Sequence, residues 1–411
     1  MRWNSALIAA TASVFASSAT AAFNAASNTN MVMYWGQGYD QIPLEDVCND
    51  DSIDIVVIGF INGFPKKVGD YPASNFAKDC GASYYPNPDG TGPSKLFDSC
   101  PSIGPGIKSC QNKGKKVFLS IGGGWPTDYY IPNQDVAKYF ADFLWGAFGP
   151  QTAKWVADKK PRPFGDAAVD GFDLDIESYI EPAPFTSYQY ANYGTLVTQL
   201  KKNVYPNGLQ PLISGAPQCV IPDARLADAI KVSKFDFLFI QFYNNGAAGC
   251  GTRAGYEGLS KKTTTFTFDN WITWLRSNSN NKEVKVYIGM PAGIAAVPND
   301  EASYLQPSEA SALIKTYYNK YPTQFGGVML WEATVSARNK ICDKPYGTTI
   351  KRILNAIIRC VHHTLLNFEL QFVRGIYDKV LHVYFQHTGF HVHAARYHYV
   401  FELKLLGDFQ L

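Results

Sequence analysis

The 411-residue sequence predicts an α/β protein built as a TIM (β/α)8 barrel, a single domain followed by a C-terminal extension. Three observations carry this prediction. Eight short β-rich runs recur along roughly 330 residues, most of them near-continuous apolar strings of the kind that parallel strands buried on both faces require. Segments with helical spacing lie between the runs, and such alternation implies right-handed crossovers and a parallel sheet. No Gly-rich phosphate loop follows the first run, as an open doubly wound sheet would more often have it. Length alone would also allow two smaller domains.

Taken in order, the chain begins with Arg2, continues through the apolar, small-residue stretch Ala6–Ala16 and reaches Ala19-Thr20-Ala21, an A-x-A cleavage site. Residues 1–21 are therefore expected to be a secretory signal peptide. The stretch is too short and too rich in Ser and Thr to span a bilayer, so a secreted, extracellular or cell-wall protein with no membrane partner is expected. The runs that follow are Val32–Gly36, Ile55–Phe60, Lys116–Gly122, Gly171–Glu177, Pro211–Ala216, Phe235–Tyr243, Lys285–Met290 and Gly327–Trp331. Helical spacing marks Asp135–Phe148, Phe185–Val204, Asp223–Val232, Asp269–Ser277 and Ser308–Tyr321. Between the second and third runs lies Ile61–Lys115, rich in Pro, Gly, Asn and Tyr and carrying Cys80, Cys100 and Cys110. A connection this long without clear periodicity needs staples or a function. The barrel domain is set at residues 22–360. The tail, 361–411, has a different character: it holds all seven histidines and reads as a poorly ordered extension. His391 and His393 have a two-residue spacing that is common by accident, so no metal is expected there.

Formal net charge is +2, with no basic run or acidic block, which gives no electrostatic reason to expect nucleic acid or an anionic membrane as partner. A neutral ligand is expected. Aromatic residues make up 14% of the chain; they are core material first, and also suit a protein that stacks on sugars. Eight cysteines in an exported chain should mostly form disulfides, and spacing alone does not give their connectivity. No CxxC pair suggests zinc, and no N-x-Ser/Thr sequon is present.

The chemistry concentrates in Asp170-Gly171-Phe172-Asp173-Leu174-Asp175-Ile176-Glu177, which puts four carboxylates into eight residues. Side chains alternate on a strand, so Asp173, Asp175 and Glu177 share one face and Phe172, Leu174 and Ile176 the other. The apolar face packs against helices and the acidic face points into the barrel, where like charges cannot all ionise; the group should share a proton and titrate as a coupled set. Glu177 stands at the C-terminal end of the strand, where the active sites of such barrels lie. Burying three like charges costs several kcal/mol, so a merely solvated acidic patch is a poor explanation. Three readings stay open. Asp173 and Asp175 could hold a divalent cation, as in nucleotide-sugar transferases. Two carboxyls could serve as acid and nucleophile of a glycosidase. Or a substrate amide could be the nucleophile, with one protonated carboxyl required of the protein. A histidine-dependent triad is excluded from residues 1–361, which contain no histidine. Gly122-Gly123-Gly124 lacks a following Lys-Ser/Thr, so close backbone approach to a ligand or tight strand-end packing explains it better than a phosphate loop.

The stretch DGFDLDIE resembles the DxxDxDxE signature of glycoside hydrolase family 18. Tyr34-Trp35-Gly36-Gln37, Ser120-Ile121-Gly122-Gly123-Gly124, Ala216-Pro217-Gln218-Cys219, Gln241-Phe242-Tyr243-Asn244-Asn245 and Gly327-Val328-Met329-Leu330-Trp331 stand in the order seen in plant and fungal class III chitinases. The resemblance runs from Met33 to about Leu330. It implies a chitinase acting on chitin or chitin oligosaccharides, with no cofactor and as a monomer. Glu177 is then the general acid/base, Asp175 the residue that turns toward Glu177 and holds the acetamido N–H, Asp173 the group that tunes Asp175, and Tyr243 a donor to the acetamido oxygen. Asp170 is structural. Trp331 is the floor beneath the reacting sugar, and Gln241, Asn244, Tyr34, Gln37, Gly123 and Met290 are substrate-binding residues. The same resemblance implies disulfides Cys48–Cys110, Cys80–Cys100 and Cys219–Cys250, and leaves Cys342 and Cys360 either paired with each other or free. An endo-β-N-acetylglucosaminidase and a non-catalytic chitin-binding lectin are the alternatives; such lectins usually lose the terminal Glu of the signature, which is present here as Glu177.

Overall fold

The computed structural model describes residues 23–125, 130–177, 190–246, 249–261 and 263–357. The expected leader 1–21, the tail 361–411, Cys360, every histidine and the beginning of the expected helix Phe185–Val204 lie outside these residues. Contacts divide the chain into Met1–Ala356 and Ile357–Leu411, and the barrel belongs to the first unit.

Eight parallel strands close on themselves in the order β1-β2-β5-β6-β7-β8-β9-β10. They are β1 (Asn30–Trp35), β2 (Ile55–Ile61), β5 (Lys116–Gly122), β6 (Gly171–Asp175), β7 (Leu212–Gly215), β8 (Phe237–Gln241), β9 (Lys285–Pro291) and β10 (Phe325–Trp331). Every expected run overlaps one of them, with ends that agree to within two residues. The strands are buried on both faces, which is why their sequences are unbroken apolar strings rather than alternating ones. Inward positions recur every second residue: Val32 and Tyr34, Ile55 and Val57, Phe118, Phe237 and Phe239, Tyr287 and Met329 form one packed cluster inside the barrel.

The outer layer contains the expected helices α3 (Gln134–Phe148), α5 (Tyr193–Leu200), α6 (Ala227–Val232), α8 (Phe268–Asn278) and α9 (Pro307–Lys320). Their starts have local causes. Asn133 accepts the Val136 N–H at 2.9 Å at the head of α3, and Gln306 with Glu309 forms a capping box around Pro307 at the head of α9. Five helices were not anticipated: α1 (Leu44–Asn49), α2 (Ile103–Asn112), α4 (Ala153–Ala157), α7 (Thr252–Lys261) and α10 (Ala333–Arg338). In α2, Gly104, Pro105 and Gly106 depress helix propensity, and tertiary packing overrides it: Ile103, Ile107 and Cys110 are buried, and a Cβ on Gly106 would come within 2.7 Å of Leu44 Cδ2.

The long connection Ile61–Lys115 is thus not structureless. Besides α2 it contains an antiparallel hairpin of β3 (Tyr84–Pro86) and β4 (Pro93–Phe97). A short ladder of β11 (Lys340–Ile341) and β12 (Lys344–Pro345) follows α10. Disulfides join Cys48 to Cys110, Cys80 to Cys100 and Cys219 to Cys250, while Cys342 is exposed and has no bridge among the described residues. The first ties α1 to α2 and the second closes the segment that carries the hairpin.

At the N-terminal end of the barrel one device is used three times. Asp54, Asp170 and Asp236 each precede a strand and accept a backbone N–H from the neighbouring one: Met31 at 2.6 Å, Val117 at 3.0 Å and Ile213 at 2.8 Å. Each also meets a lysine: Lys351 at 2.5 Å, Lys116 at 2.7 Å, and Lys201. Asp170 therefore sits at the opposite end of β6 from Glu177 and clamps two strands together, which is the structural part expected of it.

Candidate active site

The alternation of β6 places Asp173 and Asp175 inside the barrel, 0% and 3% exposed, and Glu177 just past the end of the strand at its C-terminal mouth. Phe172, Leu174 and Ile176 are buried on the other face. The acids are held in two layers. Deeper in, Asp173 accepts three hydroxyl hydrogen bonds, from Tyr34 at 2.7 Å, Ser120 at 2.7 Å and Ser214 at 2.6 Å. The two serines come from the flanking strands, and the parallel register puts each directly opposite Asp173. Above it, Asp175 and Glu177 share a hydrogen bond. Gln241 at the end of β8 donates one amide nitrogen to Asp175 Oδ1 at 2.9 Å, to Glu177 Oε1 at 3.2 Å and to the Ala216 carbonyl at 3.0 Å.

The electrostatics follow from burial. Asp175 is pushed well above the usual carboxylate range by burial, then by the charges of Glu177 and Asp173. Burial also raises Glu177, with Gln241, the hydrogen bond to Asp175 and the charge of Arg225 pulling it partly back while Asp223 opposes them. Asp173 is raised by burial, and its hydroxyl donors from Ser214, Ser120 and Tyr34 work against the rise. Burial and the nearby carboxylates push the Tyr34 and Tyr243 phenols far up, so both remain proton donors. Three close carboxyls cannot all ionise in such a site, and Asp175 and Glu177 hold a proton between them.

A cavity of 340 Å3 opens over the pair. It brings together Tyr34, Gln37, Gly123, Asp175, Glu177, Gln241, Tyr243, Asn244 and Trp331. Asp173 lies beneath it rather than on its wall. Met290 departs from expectation: it is fully buried and outside the cavity, because on β9 it has the parity of Val286 and Ile288, opposite to the inward Tyr287. Trp331 leans on Tyr34 at 5.7 Å and stacks on Phe60 at 6.2 Å, which leaves it partly exposed as a broad apolar floor. Gln37 donates to the carbonyls of Gly59 at 3.2 Å and Asn75 at 2.9 Å, so its amide braces the rim. The Asn244 N–H donates to Asp300 at 2.6 Å, in a residue with φ of 56°.

The glycine triplet is explained by close approach. Gly122 has φ of 109°, and a Cβ there would lie 2.1 Å from the Asp175 carbonyl, which instead accepts the Gly123 N–H at 2.7 Å. A Cβ on Gly124 would come within 3.1 Å of Glu177 Oε2. The sequence reading missed Ser120, Ser214, Phe60, Asn62, Asn75, Trp125 and Arg225. The serines had a signal, as polar residues inside apolar runs. Arg225 had none: it reaches the site through Gln218, to which it donates at 2.8 Å, and through its charge on Glu177, while its buried Nε has no hydrogen-bond partner among the described residues.

The arrangement also weighs the candidate chemistries. Asp173 spends both carboxylate oxygens on hydroxyls. Among the described residues no three His, Cys, Asp or Glu side chains form a metal-holding group. No described helix is long and apolar enough to cross a membrane.

The family profile of the glycosyl hydrolases family 18 matches residues 30–344. Endochitinase A1 of Aspergillus fumigatus is 44% identical over 336 residues, 81% of this chain and 38% of that protein, so the chain spans less than two fifths of that relative's length. Among solved structures, a chitinase from Ipomoea carnea superposes with a TM-score of 0.58 at 29% identity over 79% of this chain and 99% of its own. A xylanase and alpha-amylase inhibitor protein from Scadoxus multiflorus does so with a TM-score of 0.57 at 27% identity, over 80% of this chain and 97% of its own.

Proposed function

Because the chain belongs to glycosyl hydrolases family 18, we propose that it is a glycoside hydrolase that cleaves β-1,4 bonds between N-acetylglucosamine units of chitin, with retention and with the substrate's own acetamido group as nucleophile. The observation that carries this reading is the contact between Asp175 and Glu177. They are the only carboxyls lining the cavity among the described residues, and they are hydrogen-bonded to each other. Acid and nucleophile of a two-carboxylate retaining enzyme stand about 5–5.5 Å apart across the bond, and an inverting pair stands farther still. A touching pair leaves the opposite face of the sugar without a protein nucleophile, and the acetamido oxygen fills that role.

In this mechanism the proton that Asp175 and Glu177 share passes to Glu177 as Asp175 takes up the acetamido N–H, and Glu177 donates it to the glycosidic oxygen as the bond breaks. The acetamido oxygen attacks the anomeric carbon and an oxazolinium ion forms. Asp175 accepts the acetamido N–H and offsets the developing positive charge, while Asp173, fixed by its three hydroxyls, stays below as the charge that biases Asp175 toward Glu177. Tyr243 donates its hydroxyl to the acetamido oxygen, and the face of Trp331 carries the reacting sugar. Glu177, now a carboxylate, takes a proton from water, which attacks from the face that the leaving group vacated; two inversions give retention. Gln241, Asn244, Tyr34, Gln37 and Gly123 shape the pocket. The expected leader 1–21 and three disulfides support export to an extracellular or cell-wall location.

The test is time-resolved product analysis on chitin oligomers, with the anomer released first recorded. The expected result is the β-anomer, with no cleavage of a fully deacetylated polymer. Release of the α-anomer, or equal cleavage of the deacetylated chain, refutes the mechanism. Cleavage of high-mannose glycopeptides instead of chitin oligomers would move the substrate to glycoprotein glycans. The likeness to an inhibitor protein gives a second reading, a barrel that binds without turnover, and Glu177 with its raised pKa speaks against it.

A further inference from the structure

Tyr243 stands two residues past the end of β8, beyond the ladder that fixes Gln241. A hydroxyl that must meet an acetamido oxygen in the mouth needs another anchor there, because a displacement of about 1 Å costs on the order of 10²-fold in rate. The peptide groups on either side of Tyr243 show what supplies it. The Phe242 N–H donates to the Gly289 carbonyl at 3.2 Å, and the Phe242 carbonyl accepts the Thr252 N–H at 2.9 Å. The Tyr243 carbonyl accepts from the Asn245 amide at 2.6 Å. The Asn244 N–H donates to Asp300 Oδ2 at 2.6 Å, the one contact of this set whose acceptor is a carboxylate. Asn244 is also the point of backbone strain. Its φ of 56° lies in the left-handed region, which a residue with a Cβ enters at a cost, Asn at less than most. The Asp300 bond holds that peptide in place, and with it the direction in which the chain leaves Tyr243.

Asp300 is itself fixed, on the connection between β9 and α9. Ser303, buried, donates its hydroxyl to the same Oδ2 at 2.6 Å. The Ser303 carbonyl accepts the hydroxyl of Thr252, the fully buried residue whose N–H meets Phe242. A Cβ on Gly251 would come within 2.9 Å of Ser303 Oγ and 3.2 Å of the Phe242 carbonyl, so the two connections lie in direct contact. Arg253 lengthens the seam: it donates to the carbonyls of Ala302 at 3.1 Å and Tyr304 at 3.0 Å and grips Glu309 at 2.7 and 3.1 Å. Val297, whose carbonyl accepts the Asp300 N–H at 2.9 Å, belongs to the same buried cluster as Tyr243. Asp300 thus stands on a braced segment, and it does not line the cavity over Glu177.

Resting on the reading that the mouth cleaves N-acetylglucosamine polymers with Tyr243 as donor to the acetamido oxygen, we propose that Asp300 is a positioning residue for this reaction: by holding the Asn244 peptide it aims the Tyr243 hydroxyl, and so acts on turnover rather than on substrate capture. The test is a double-mutant cycle on the full chain, read as kcat and KM for the chitin hexasaccharide, with a thermal melt of each variant. Asp300→Ala is expected to lower kcat about tenfold and to leave KM within about twofold. In a Tyr243→Phe background the same change is expected to cost less than about twofold, since no hydroxyl remains to be aimed. Asp300→Asn keeps an acceptor oxygen without its charge and is expected to recover most of the kcat while Tyr243 is intact. Should the alanine variant melt below the assay temperature, the cycle is run with Asp300→Asn, whose loss of about threefold should likewise vanish beside Tyr243→Phe. Equal losses in both backgrounds, a raised KM with kcat unchanged, or a kcat unmoved in both Asp300 variants overturns the proposal and leaves the reading of the mouth standing. An unaltered chain inert on the hexasaccharide overturns that reading, and the proposal with it.

Discussion

Replacing Glu177 with Gln keeps the volume and the contact with Gln241 while removing the one proton positioned for the leaving group. Among the described residues no other carboxyl lines the cavity except Asp175, which is engaged with Glu177 and Gln241. The loss should therefore match removal of a general acid without a substitute, about 10²–10⁴-fold in kcat, or about 2.7–5.5 kcal/mol of barrier. Binding of the hexasaccharide by calorimetry should change little. The same substitution has a stability signature of known sign. The Glu177 charge helps to hold Asp175 above its unfolded value of about 3.9. Over the pH interval between those two values the folded state binds the extra proton, so stability falls as pH rises. Glu177→Gln weakens that dependence, and the melting temperature at pH 7 relative to pH 4 should drop less than in the unaltered chain. The assay is reducing-end release from the hexasaccharide, paired with thermal melts at both pH values. A kcat within tenfold of the unaltered chain refutes the general-acid assignment, and a steeper loss of melting temperature toward pH 7 refutes the charge coupling.

Asp175→Asn should lower kcat by on the order of 10²-fold, since the acetamido nitrogen loses its ionic partner; an unaffected rate in the same assay would favour a two-carboxylate route. Arg225→Gln removes a positive charge that pulls Glu177 down, so the alkaline limb of the kcat–pH profile should move to higher pH, with Arg225→Lys in between; a limb that stays or moves down refutes the coupling. Ser214→Ala strips Asp173 of one of three donors and should cost about 1–3 kcal/mol in denaturant unfolding, and a change below about 0.3 kcal/mol would show that the deep acid does not depend on that donor.

The barrel was legible because its strands are buried on both faces, which makes each an apolar string with obvious ends, and because period two sorted the acids of β6 from Phe172, Leu174 and Ile176. What was not legible depends on register. Ser120 and Ser214 become partners of Asp173 only once β5 and β7 are laid beside β6 at one particular offset, and a single sequence does not state that offset. Asn62 and Asn75 enter the cavity through a loop that folds back on the end of β2, within a segment whose residues showed no period. The misplacement of Met290 has a simple origin: a run that ends on an apolar residue invites the last side chain into the mouth, whereas the alternation set by Tyr287 turns it outward. Helix α2 was hidden by Gly104, Pro105 and Gly106, whose low propensity is overruled by packing against Leu44.

The three aspartate clamps beneath β2, β6 and β8 work like the hoops of a cask. Each binds two staves at the foot, far from the rim where the sugar is cut. The hoops and the rim share no residue, so loops above the rim can be lengthened or recut for another glycan while the staves stay in register. Wear of the hoops should show as loosened staves before any change in what the rim accepts.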